Sequence, residues 1–555
     1  MADNPPIWTT HYNHPTKWDQ VFAPLSVPDM FFQTAELRGD AALIDFMGRK
    51  YSYFEAARGV ARVACGLQAL GFGPGDHVGL FLPNVPHYVA AYYGAMAIGA
   101  TVVNFSPLYS VDELTHQVED SRTRILITLS AKALLPAALD VLEKSSLERI
   151  VVGSIAGVLP ATKSLFYRLF RGGETAERPD DPRITRFSSL IDNDGAYRPA
   201  SIDPERDIAL LQYTGGTTGI PKGAMLSHQN ITANARQVNA ADPHRGEEDR
   251  MMGILPLFHV FANTVVLNRT IANGGEIIML PRFDATQALA TIHRTRPTAM
   301  PGVPTMFQAL LDHPKIAETN FSSLRMCISG GAPLPQELKR KFEAATGSKL
   351  VEGYGLTESA GVISCNPYEA LNKAGTIGQP MPGTLVRLVD KADPTVAAPP
   401  GEPGELVASG PQIMKGYWNR PDADASVFVD GFLRTGDVAT IDEDGYIRIV
   451  DRLKDMIAVG GFKVFPSQLE EILYAHDAIK EALVIGVSDE FYGEVPKAFV
   501  TLEPGSSITG DALKHWLNGQ VGKHERVTDV VVRATLPKTM IGKLDRKALR
   551  AEEGV

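Results

Sequence analysis

A polar, glycine-rich loop between two apolar runs restricts most strongly what this chain can fold into and bind. Residues 210–213 and 224–226 are largely apolar, and residues 214–223 between them read TGGTTGIPKG. This order predicts a strand, a loop and a second strand. Glycines leave no Cβ to hold a ligand away, and consecutive backbone N–H groups in such a loop form a concave anion site. Lys222 adds a mobile positive charge, so a polyphosphate is the expected guest.

The loop is not a Walker A motif, which needs Gly-Lys-Ser/Thr at the start of a helix. Here Pro221 precedes Lys222, and a strand-like run follows instead of a helix. A flexible glycine turn is the alternative for any isolated loop of this composition. The hydroxyls of Thr214, Thr217 and Thr218, together with the lysine and the apolar flanks, favour the phosphate site.

The string LQYTGGTTGIPKGAMLSHQN closely resembles the phosphate loop of the adenylate-forming enzymes. These include acyl-CoA synthetases, aryl-CoA ligases, beetle luciferases and the adenylation domains of peptide synthetases, and the string is most similar to the bacterial long-chain fatty acyl-CoA ligases. The resemblance covers nearly the whole chain. It implies an α/β fold with a large N-terminal domain, built from two α/β layered sheets and a β subdomain, and a small mobile α+β C-terminal domain.

The composition is that of a globular protein with more than one domain. A chain of 555 residues is longer than a single hydrophobic core usually organises, so two or more domains are expected. A net charge of −10 argues against general affinity for nucleic acids. Cys65, Cys327 and Cys365 show no metal or disulfide spacing, which is typical of a reducing compartment. No apolar signal core and no bilayer-spanning run are present. We therefore expect a cytoplasmic protein, with peripheral contact to the inner face of the membrane left open.

The order of the apolar segments predicts two domains. Helices first alternate with short apolar strands, which indicates layered α/β structure with largely parallel sheets. Within this part the pattern predicts a strand leading into a turn over residues 253–260 and a loop over residues 352–358. Short alternating runs over 383–449 predict a compact β subdomain. We place the main boundary near residue 450, which gives domains 1–450 and 451–555.

Residues 155–171, IAGVLPATKSLFYRLFR, combine aromatic and basic side chains at helical spacing. Such a helix is typical of segments that lie in a membrane interface, with cations on one side and apolar groups on the other. The alternative, which we prefer from the sequence, is a surface helix packed on the core. The side chains concerned are Leu165, Phe166, Leu169 and Phe170, alternating with Lys163, Arg168 and Arg171.

The string YGLTE at residues 354–358 matches the second signature of the resembled family. By this resemblance, Tyr354 offers a ring on which adenine can stack, and Thr357 offers a hydroxyl to the α-phosphate. Glu358 supplies a hard oxygen ligand for Mg²⁺, with Thr217 as the second predicted metal contact. Taken singly, the first three would be a surface tyrosine, a helix cap and a solvated acid. Their order along the chain carries the assignment.

Three further motifs of the family contribute charged groups. In RTGD, at residues 434–437, the carboxylate of Asp437 can accept hydrogen bonds from both ribose hydroxyls. Arg452 is expected to contact the nucleotide, and Lys454 lies at the family's hinge between the domains. Lys543, in PKTMIGK, is expected to reach the acyl carboxylate and the α-phosphate during adenylation. For each cation the alternative is a solvated surface charge.

His259 occupies the wall of the acyl site by the same resemblance. Amino-acid-activating relatives place an aspartate at this point to pair the substrate ammonium, so His259 favours an apolar carboxylic acid. Some long-chain enzymes carry a tryptophan gate just beyond this histidine, whereas Asn263 stands here. This departure leaves the preferred chain length open.

A short segment after the hinge is expected to line the pantetheine tunnel for CoA. Small residues leave room for a thin chain, and the segment consists of Gly460, Gly461 and Phe462. The sequence shows no extra insertion between Arg452 and Lys543, of the kind by which fatty acyl-AMP ligases block domain rotation.

The complete set of predicted site residues follows from these motifs. The catalytic residues are His259, Thr357, Glu358 and Lys543. The predicted contacts to ATP or AMP are Thr214, Gly215, Gly216, Thr217, Thr218, Gly219, Lys222, Gly331, Ala332, Pro333, Glu352, Gly353, Tyr354, Gly355, Thr357, Asp437, Ile449, Arg452 and Lys543.

The sequence therefore predicts an enzyme that activates a long-chain fatty acid with Mg·ATP and transfers the acyl group to CoA. The alternatives are a CoA ligase for medium-chain, aryl or terpenoid acids, and an acyl-AMP ligase that feeds a carrier protein. A non-catalytic AMP- or lipid-binding homologue would be expected to lack at least one of Thr357, Glu358, Asp437 and Lys543, and all four are present. No nucleic-acid partner is expected, and a homodimer is left open.

Overall fold

The computed structural model describes residues 6–170, 172–214, 221–460, 462–539 and 542–555, without the side chain of Arg168. The described strands form four sheets. The predicted site residues outside these ranges are Gly215, Gly216, Thr217, Thr218, Gly219 and Gly461.

In chain order, the described strands are β1 Ala42–Phe46, β2 Arg49–Ser52, β3 His77–Leu80, β4 Thr101–Asn104, β5 Ile125–Leu129, β6 Arg149–Gly153, β7 Ile184–Arg186, β8 Ile208–Tyr213, β9 Gly223–Ser227, β10 Arg250–Gly253, β11 Glu276–Met279, β12 Ala299–Gly302, β13 Met326–Ser329, β14 Lys349–Tyr354, β15 Ser364–Cys365, β16 Gln379–Pro380, β17 Leu385–Val389, β18 Gly404–Ser409, β19 Phe428–Val429, β20 Phe432–Ile441, β21 Ile447–Arg452, β22 Ile457–Val459, β23 Phe462–Val464, β24 Ile479–Asp489, β25 Gly493–Leu502 and β26 Val530–Val532.

The described helices are α1 Val27–Arg38, α2 Tyr53–Ala69, α3 Pro86–Ala97, α4 Val111–Ser121, α5 Leu135–Lys144, α6 Ile155–Val158, α7 Ala161–Phe170, α8 Phe187–Leu190, α9 His228–Ala240, α10 Val260–Ala262, α11 Arg269–Asn273, α12 Ala285–Thr295, α13 Pro304–Leu311, α14 Gln336–Thr346, α15 Pro421–Val427, α16 Pro466–Tyr474, α17 Gly510–Asn518 and α18 Arg546–Glu553. A π-helix, Asn263–Asn268, joins α10 to α11. Short 3₁₀ turns cover Ile7–Thr10, Gly172–Glu174, Thr357–Ser359 and Lys523–Glu525.

Two large sheets make up most of the N-terminal part. The first has the strand order β7-β6-β5-β3-β4-β8-β9 among the described strands, and it is parallel except for the antiparallel pair β8 and β9. The second has the order β16-β15-β14-β13-β12-β10-β11-β1-β2, parallel from β14 to β1. Helices connect the parallel strands, as the alternation in the sequence predicts.

Helix α2 shows how the sequence sets these elements. Ser52 and Glu55 form a reciprocal capping box at its N-terminus, which satisfies backbone donors that would otherwise lack partners. Val60, Val63 and Leu67 follow at spacings of three and four residues and are fully buried. One face of α2 therefore packs on the core, and many helices of both sheets follow the same pattern.

Two smaller sheets follow. Strands β17 to β21 form an antiparallel sheet, which confirms the β subdomain predicted over 383–449. Strands β22 to β26 form a mixed sheet with its own core, in which residues such as Ile457, Val484 and Leu513 are buried. The C-terminal part is therefore the small α+β unit that the sequence predicts.

Three local predictions were wrong. The strand that was predicted to start at Gly253 and lead into a turn instead ends at Gly253. The Asn84 side chain binds the backbone of the next segment: its amide donates to the Leu255 carbonyl (2.8 Å) and its oxygen accepts from the Leu257 N–H (2.8 Å). The loop predicted over 352–358 begins as strand, since β14 extends to Tyr354.

The segment 155–171 forms two helices, α6 and α7, because Pro160 lies between them and cannot continue the first. The preferred interpretation, that its apolar side chains pack on the core, was also wrong for four of them. The exposed fractions are 61% for Leu165, 60% for Phe166, 67% for Leu169 and 69% for Phe170. Among the helices that the structure describes, none is both long and apolar enough to cross a membrane.

Candidate active site

Backbone hydrogen bonds join the two ends of the glycine-rich loop where it leaves and re-enters the first sheet. Tyr213 pairs with Gly223 across β8 and β9, and the Thr214 N–H donates to the Lys222 carbonyl (2.9 Å). The two described ends of the loop are therefore fixed by the strands on either side. The ammonium of Lys222 lies 4.6 Å from the centre of the Tyr417 ring, within the range of a cation–π contact.

Tyr417 is a site residue that sequence reasoning missed. Its hydroxyl donates to Glu358 Oε1 (2.6 Å), so that Tyr417 lies between Lys222 and the predicted metal ligand. Burial, together with the negative charge of Glu358, raises the pKa of this hydroxyl, which stays protonated as a donor. The signal in the sequence is KGYWN at 415–419, where a glycine stands next to two aromatic residues.

Residues 414–418 hold this tyrosine in place through backbone hydrogen bonds on two sides. On one side Met225 of β9 exchanges hydrogen bonds with Lys415 and Gly416, each of 2.9 Å. On the other side the Met414 N–H donates to the carbonyl of Glu358 (2.8 Å). The phosphate-loop strand and the Glu358 turn are thereby joined by one short segment.

A second group surrounds Asp437, which is 2% exposed. The Tyr354 hydroxyl donates to Asp437 Oδ2, and Arg452 Nε lies 3.2 Å from Oδ1. Strand β21 pairs with β20 so that Arg452 lies directly beside Asp437. Burial raises the pKa of Asp437, while the Arg452 charge and the Tyr354 hydroxyl act in the opposite direction. The structure thus brings together three residues that the sequence assigned to the adenine, ribose and nucleotide contacts.

A third group places Lys543 of the C-terminal part against the N-terminal part. Its side chain borders a small cavity that is also lined by His259, Phe261 and Val303. Gly331, with φ +81°, faces it so closely that a Cβ there would lie 2.6 Å from the Lys543 ammonium. Burial, and secondarily the charge of Arg452, lowers the pKa of Lys543 to about 8. Burial, and secondarily Lys543, lowers the pKa of His259 to about 3, so this imidazole is neutral at physiological pH.

Comparison with known proteins shows the family to which this chain belongs. The family model described as AMP-binding enzyme matches residues 31–418, and the model described as AMP-binding enzyme C-terminal domain matches residues 468–543. The chain belongs to the AMP-binding enzyme family.

Several known proteins align with this chain over most of its length. The chain is 40% identical over 519 residues to a long-chain-fatty-acid–CoA ligase of Bacillus subtilis (strain 168), covering 93% of this chain and 92% of the relative. It is 37% identical over 521 residues to a feruloyl-CoA synthase of Amycolatopsis sp, covering 94% and 97%. The crystal structure of ATP-bound MatB from Rhodopseudomonas palustris superimposes with a TM-score of 0.83 at 28% identity, covering 95% and 99%. The adenylate-forming fold predicted from the sequence is confirmed.

In this AMP-binding enzyme, Glu352 supports the turn that faces Lys543. The Leu334 N–H donates to Glu352 Oε1 (3.1 Å), which fixes the end of the turn formed by Gly331, Ala332 and Pro333. Burial raises the pKa of Glu352 to about 8, so the carboxyl is largely protonated at neutral pH. In this arrangement the Glu352 carboxyl holds the backbone of that turn.

The remaining predicted nucleotide contacts lie on the strands and the turn that carry Tyr354, Glu358 and Arg452. Gly353 belongs to β14, Gly355 directly follows it, and Thr357 opens the 3₁₀ turn that carries Glu358. Ile449 is half-buried in β21, three residues before Arg452.

The structure describes the predicted hinge residue Lys454 and two of the three predicted CoA residues, Gly460 and Phe462. Lys454 is exposed, and partial desolvation, with the charge of Arg452 as the second cause, lowers its pKa to about 8. The Gly460 N–H donates to the Tyr492 carbonyl (2.9 Å), and the exposed Phe462 ring lies 5.0 Å from His524. Both contacts remain within the C-terminal part.

Asn263 stands at the position where some long-chain enzymes carry a tryptophan gate, and it is buried in a polar network. The Tyr92 hydroxyl donates to Asn263 Oδ1 (3.0 Å), and the amide of Asn268 donates to the same oxygen (3.0 Å). The Asn263 amide donates to the Tyr88 hydroxyl (3.3 Å). The side chain is thus fixed at the start of the π-helix by three partners and fills the position with polar contacts.

Of the two residues that the sequence assigns to Mg²⁺, the structure describes Glu358. No cluster of three or more His, Cys, Asp or Glu side chains that could hold a metal occurs among the described residues. Glu358 remains the one described residue assigned to Mg²⁺, and its carboxylate, a hard oxygen donor, suits that ion.

Proposed function

We propose that this enzyme is a long-chain-fatty-acid–CoA ligase, which forms acyl-AMP and pyrophosphate from a fatty acid and ATP, and then acyl-CoA and AMP. The observation that supports it most directly is the position of Lys543 in the acyl-side cavity beside His259 and Gly331. The relative of Bacillus subtilis carries this activity in its name and aligns over nearly its whole length. ATP and CoA are the co-substrates that the family implies.

In the first step a carboxylate oxygen attacks the α-phosphorus in line, and the bond from that phosphorus to the bridging oxygen of pyrophosphate breaks. Little covalent chemistry is asked of the protein, so positioning and charge stabilisation carry the catalysis. Lys543 supplies a cation to the carboxylate and the α-phosphate, and Lys222 supplies one to the departing phosphates. Neutral His259 shapes the carboxylate end of the acyl site without adding charge.

Glu358 would hold Mg²⁺, with Thr217 as the second protein contact. The ion would neutralise phosphate charge and orient the leaving group. Tyr417 keeps the Glu358 carboxylate oriented through its hydroxyl (2.6 Å).

In the second step the CoA thiolate, formed by loss of its proton to solvent, attacks the acyl carbonyl carbon and AMP leaves. We propose that residues 451–555 pivot about Lys454, which withdraws Lys543 and brings Gly460, Gly461 and Phe462 to the acyl-adenylate. The exposed Phe462 is available for such a contact. The N-terminal part, 1–450, retains the adenylate during this exchange.

The test is ATP-dependent AMP release across a panel of acids from acetate through palmitate to ferulate, with and without CoA. We expect a CoA-dependent maximum at long saturated chains. A maximum at ferulate would instead favour the aryl-acid alternative, which the feruloyl-CoA synthase of Amycolatopsis sp illustrates. Acyl-AMP formation that CoA leaves unchanged would indicate a carrier-protein acceptor.

We further propose that α7 contacts an anionic membrane surface, from which an insoluble acid can be collected. Leu165, Phe166, Leu169 and Phe170 are more than half exposed, and the two phenylalanine rings lie 4.5 Å apart. The sequence from 155 to 173 carries Lys163, Arg168 and Arg171 and no acidic residue, although the whole chain has a net charge of −10. An exposed apolar cluster with local positive charge fits the interface of anionic lipids.

The membrane proposal predicts that the wild-type enzyme co-sediments with vesicles containing phosphatidylglycerol more than with pure phosphatidylcholine. The double variant F166S/F170S should lose most of this binding and keep its activity on a short, soluble acid. F491S is the matched control, because Phe491 is 85% exposed on the C-terminal part. Equal vesicle binding by wild type and F166S/F170S would contradict the proposal. The sequence leaves a homodimer open, and sedimentation of the free enzyme tests for it.

A further inference from the structure

The hairpin that carries Lys543 is fixed internally before it meets the rest of the protein. The Thr539 N–H donates to the Lys543 carbonyl (2.6 Å), and the Lys543 N–H donates to the Thr539 hydroxyl (3.1 Å). Lys538 and Leu544 form an antiparallel bridge at its base. Displacing the backbone of this hairpin therefore displaces the Lys543 side chain with it.

One side chain of the N-terminal part holds this hairpin directly. The Thr305 hydroxyl, in the first turn of α13, donates to the carbonyl of Gly542 (2.7 Å), the residue before Lys543. Gly542 has φ +81°, and a Cβ there would lie 3.2 Å from the Thr305 oxygen, so glycine suits this close approach. Val303, two residues before Thr305, lines the cavity that Lys543 enters.

The other end of the same helix bears a second contact between the two parts. Lys480 Nζ lies 2.6 Å from Oδ2 of Asp312, directly after α13, and both side chains are about one-third exposed (29% and 37%). A third contact joins Gln336 at the start of α14 to Glu471 (3.0 Å). Of these three contacts, the Thr305 hydrogen bond lies nearest in the chain to Lys543.

We propose that Thr305 is a positioning residue for the adenylation step. Its hydroxyl fixes the position of the Gly542 carbonyl. It thereby sets how far the Lys543 ammonium reaches into the acyl site. The inference rests on the proposed function, since it needs adenylation to be the step that uses Lys543. Once residues 451–555 pivot, the hairpin leaves α13, so the hydrogen bond serves one half-reaction and is absent from the other.

The T305V variant tests this, because valine keeps the shape of threonine and removes only the hydroxyl. We expect kcat for adenylation, followed by acid-dependent pyrophosphate release, to fall about 10-fold, with KM values for ATP and acid within about two-fold of wild type. Thioesterification of supplied acyl-AMP by CoA should be unchanged, and T305S should behave as wild type. T319V is a matched control, because Thr319 is a partly exposed threonine whose hydroxyl donates to the carbonyl of Lys315, four residues earlier.

A double variant separates positioning from a general structural role. If Thr305 acts through Lys543, T305V should cause no further loss of adenylation in a K543A background. Equal loss of both half-reactions in T305V, an undiminished adenylation rate, or additive losses in T305V/K543A would overturn the inference. These outcomes are distinct from failure of the proposed function, which would show as a wild-type enzyme without acid-dependent release of pyrophosphate.

Discussion

Replacing Lys543 with alanine is expected to slow acyl-adenylate formation by a factor of about 100 to 1,000, the usual loss when one preorganised charge-stabilising donor is removed. The lysine enters a cavity beside His259 and Val303, where neighbouring groups screen its charge less than water would. Among the described residues of the C-terminal part, Lys543 is the one cationic side chain that lines this cavity. Thioesterification of supplied acyl-AMP should be largely intact, since Lys543 is proposed to be withdrawn in that step.

Separate assays of the two half-reactions check this prediction, with K538A as the matched control. Lys538 lies at the base of the same hairpin but pairs with Glu481 (2.6 Å), away from the cavity. Because the cationic form of Lys543 is required and its pKa is about 8, wild-type kcat/KM for adenylation should fall as pH rises above about 8. K543A should lose that pH dependence. An equal loss of both half-reactions in K543A would remove the role assigned to this lysine.

The E358Q variant is expected to lower the adenylation rate about 100-fold at fixed Mg²⁺. Glutamine keeps an oxygen that can accept the Tyr417 hydrogen bond, so the fold around the site is preserved while the negative charge is lost. The loss of charge weakens the binding of a divalent cation, and the Mg²⁺ concentration for half-maximal rate should rise.

The comparison variant for this experiment is Y417F, which removes the hydroxyl but leaves the Glu358 charge. Its loss should be smaller, about 10-fold, because the carboxylate is only less well oriented. Mg²⁺ titrations of both variants in the pyrophosphate-release assay give the measurement. A wild-type response to Mg²⁺ in E358Q would exclude Glu358 as a metal ligand.

Features encoded by a local run of residues could be predicted from the sequence. The flanks of the glycine-rich loop form strands β8 and β9, and the RTGD motif places Asp437 in a strand where Arg452 lies beside it. Helix α1 begins directly after Ser26, whose side chain caps it. In each case the periodicity, the capping residue or the motif lies within a few residues of the feature it determines.

Features that depend on contacts between distant residues could not be predicted. Tyr417 lies 59 residues from Glu358, and Thr305 lies 237 residues from Gly542. Nothing in the local pattern of either residue specifies its partner. The end of β10 at Gly253 has the same origin, because it depends on the amide of Asn84, 171 residues from Leu255.

The segment 414–418 also has a thermodynamic consequence. It follows β18 of the β subdomain, pairs with β9 of the first sheet and contacts Glu358, which follows β14 of the second. Melting any one of these three sheets would therefore dismantle the junction where the phosphates are proposed to bind. Nucleotide binding would therefore raise the free energy of unfolding of all three sheets together. The increase is about 2.7 kcal/mol at a nucleotide concentration of 100 times its Kd. The enzyme should resist heat and proteolysis best when it is saturated with its nucleotide.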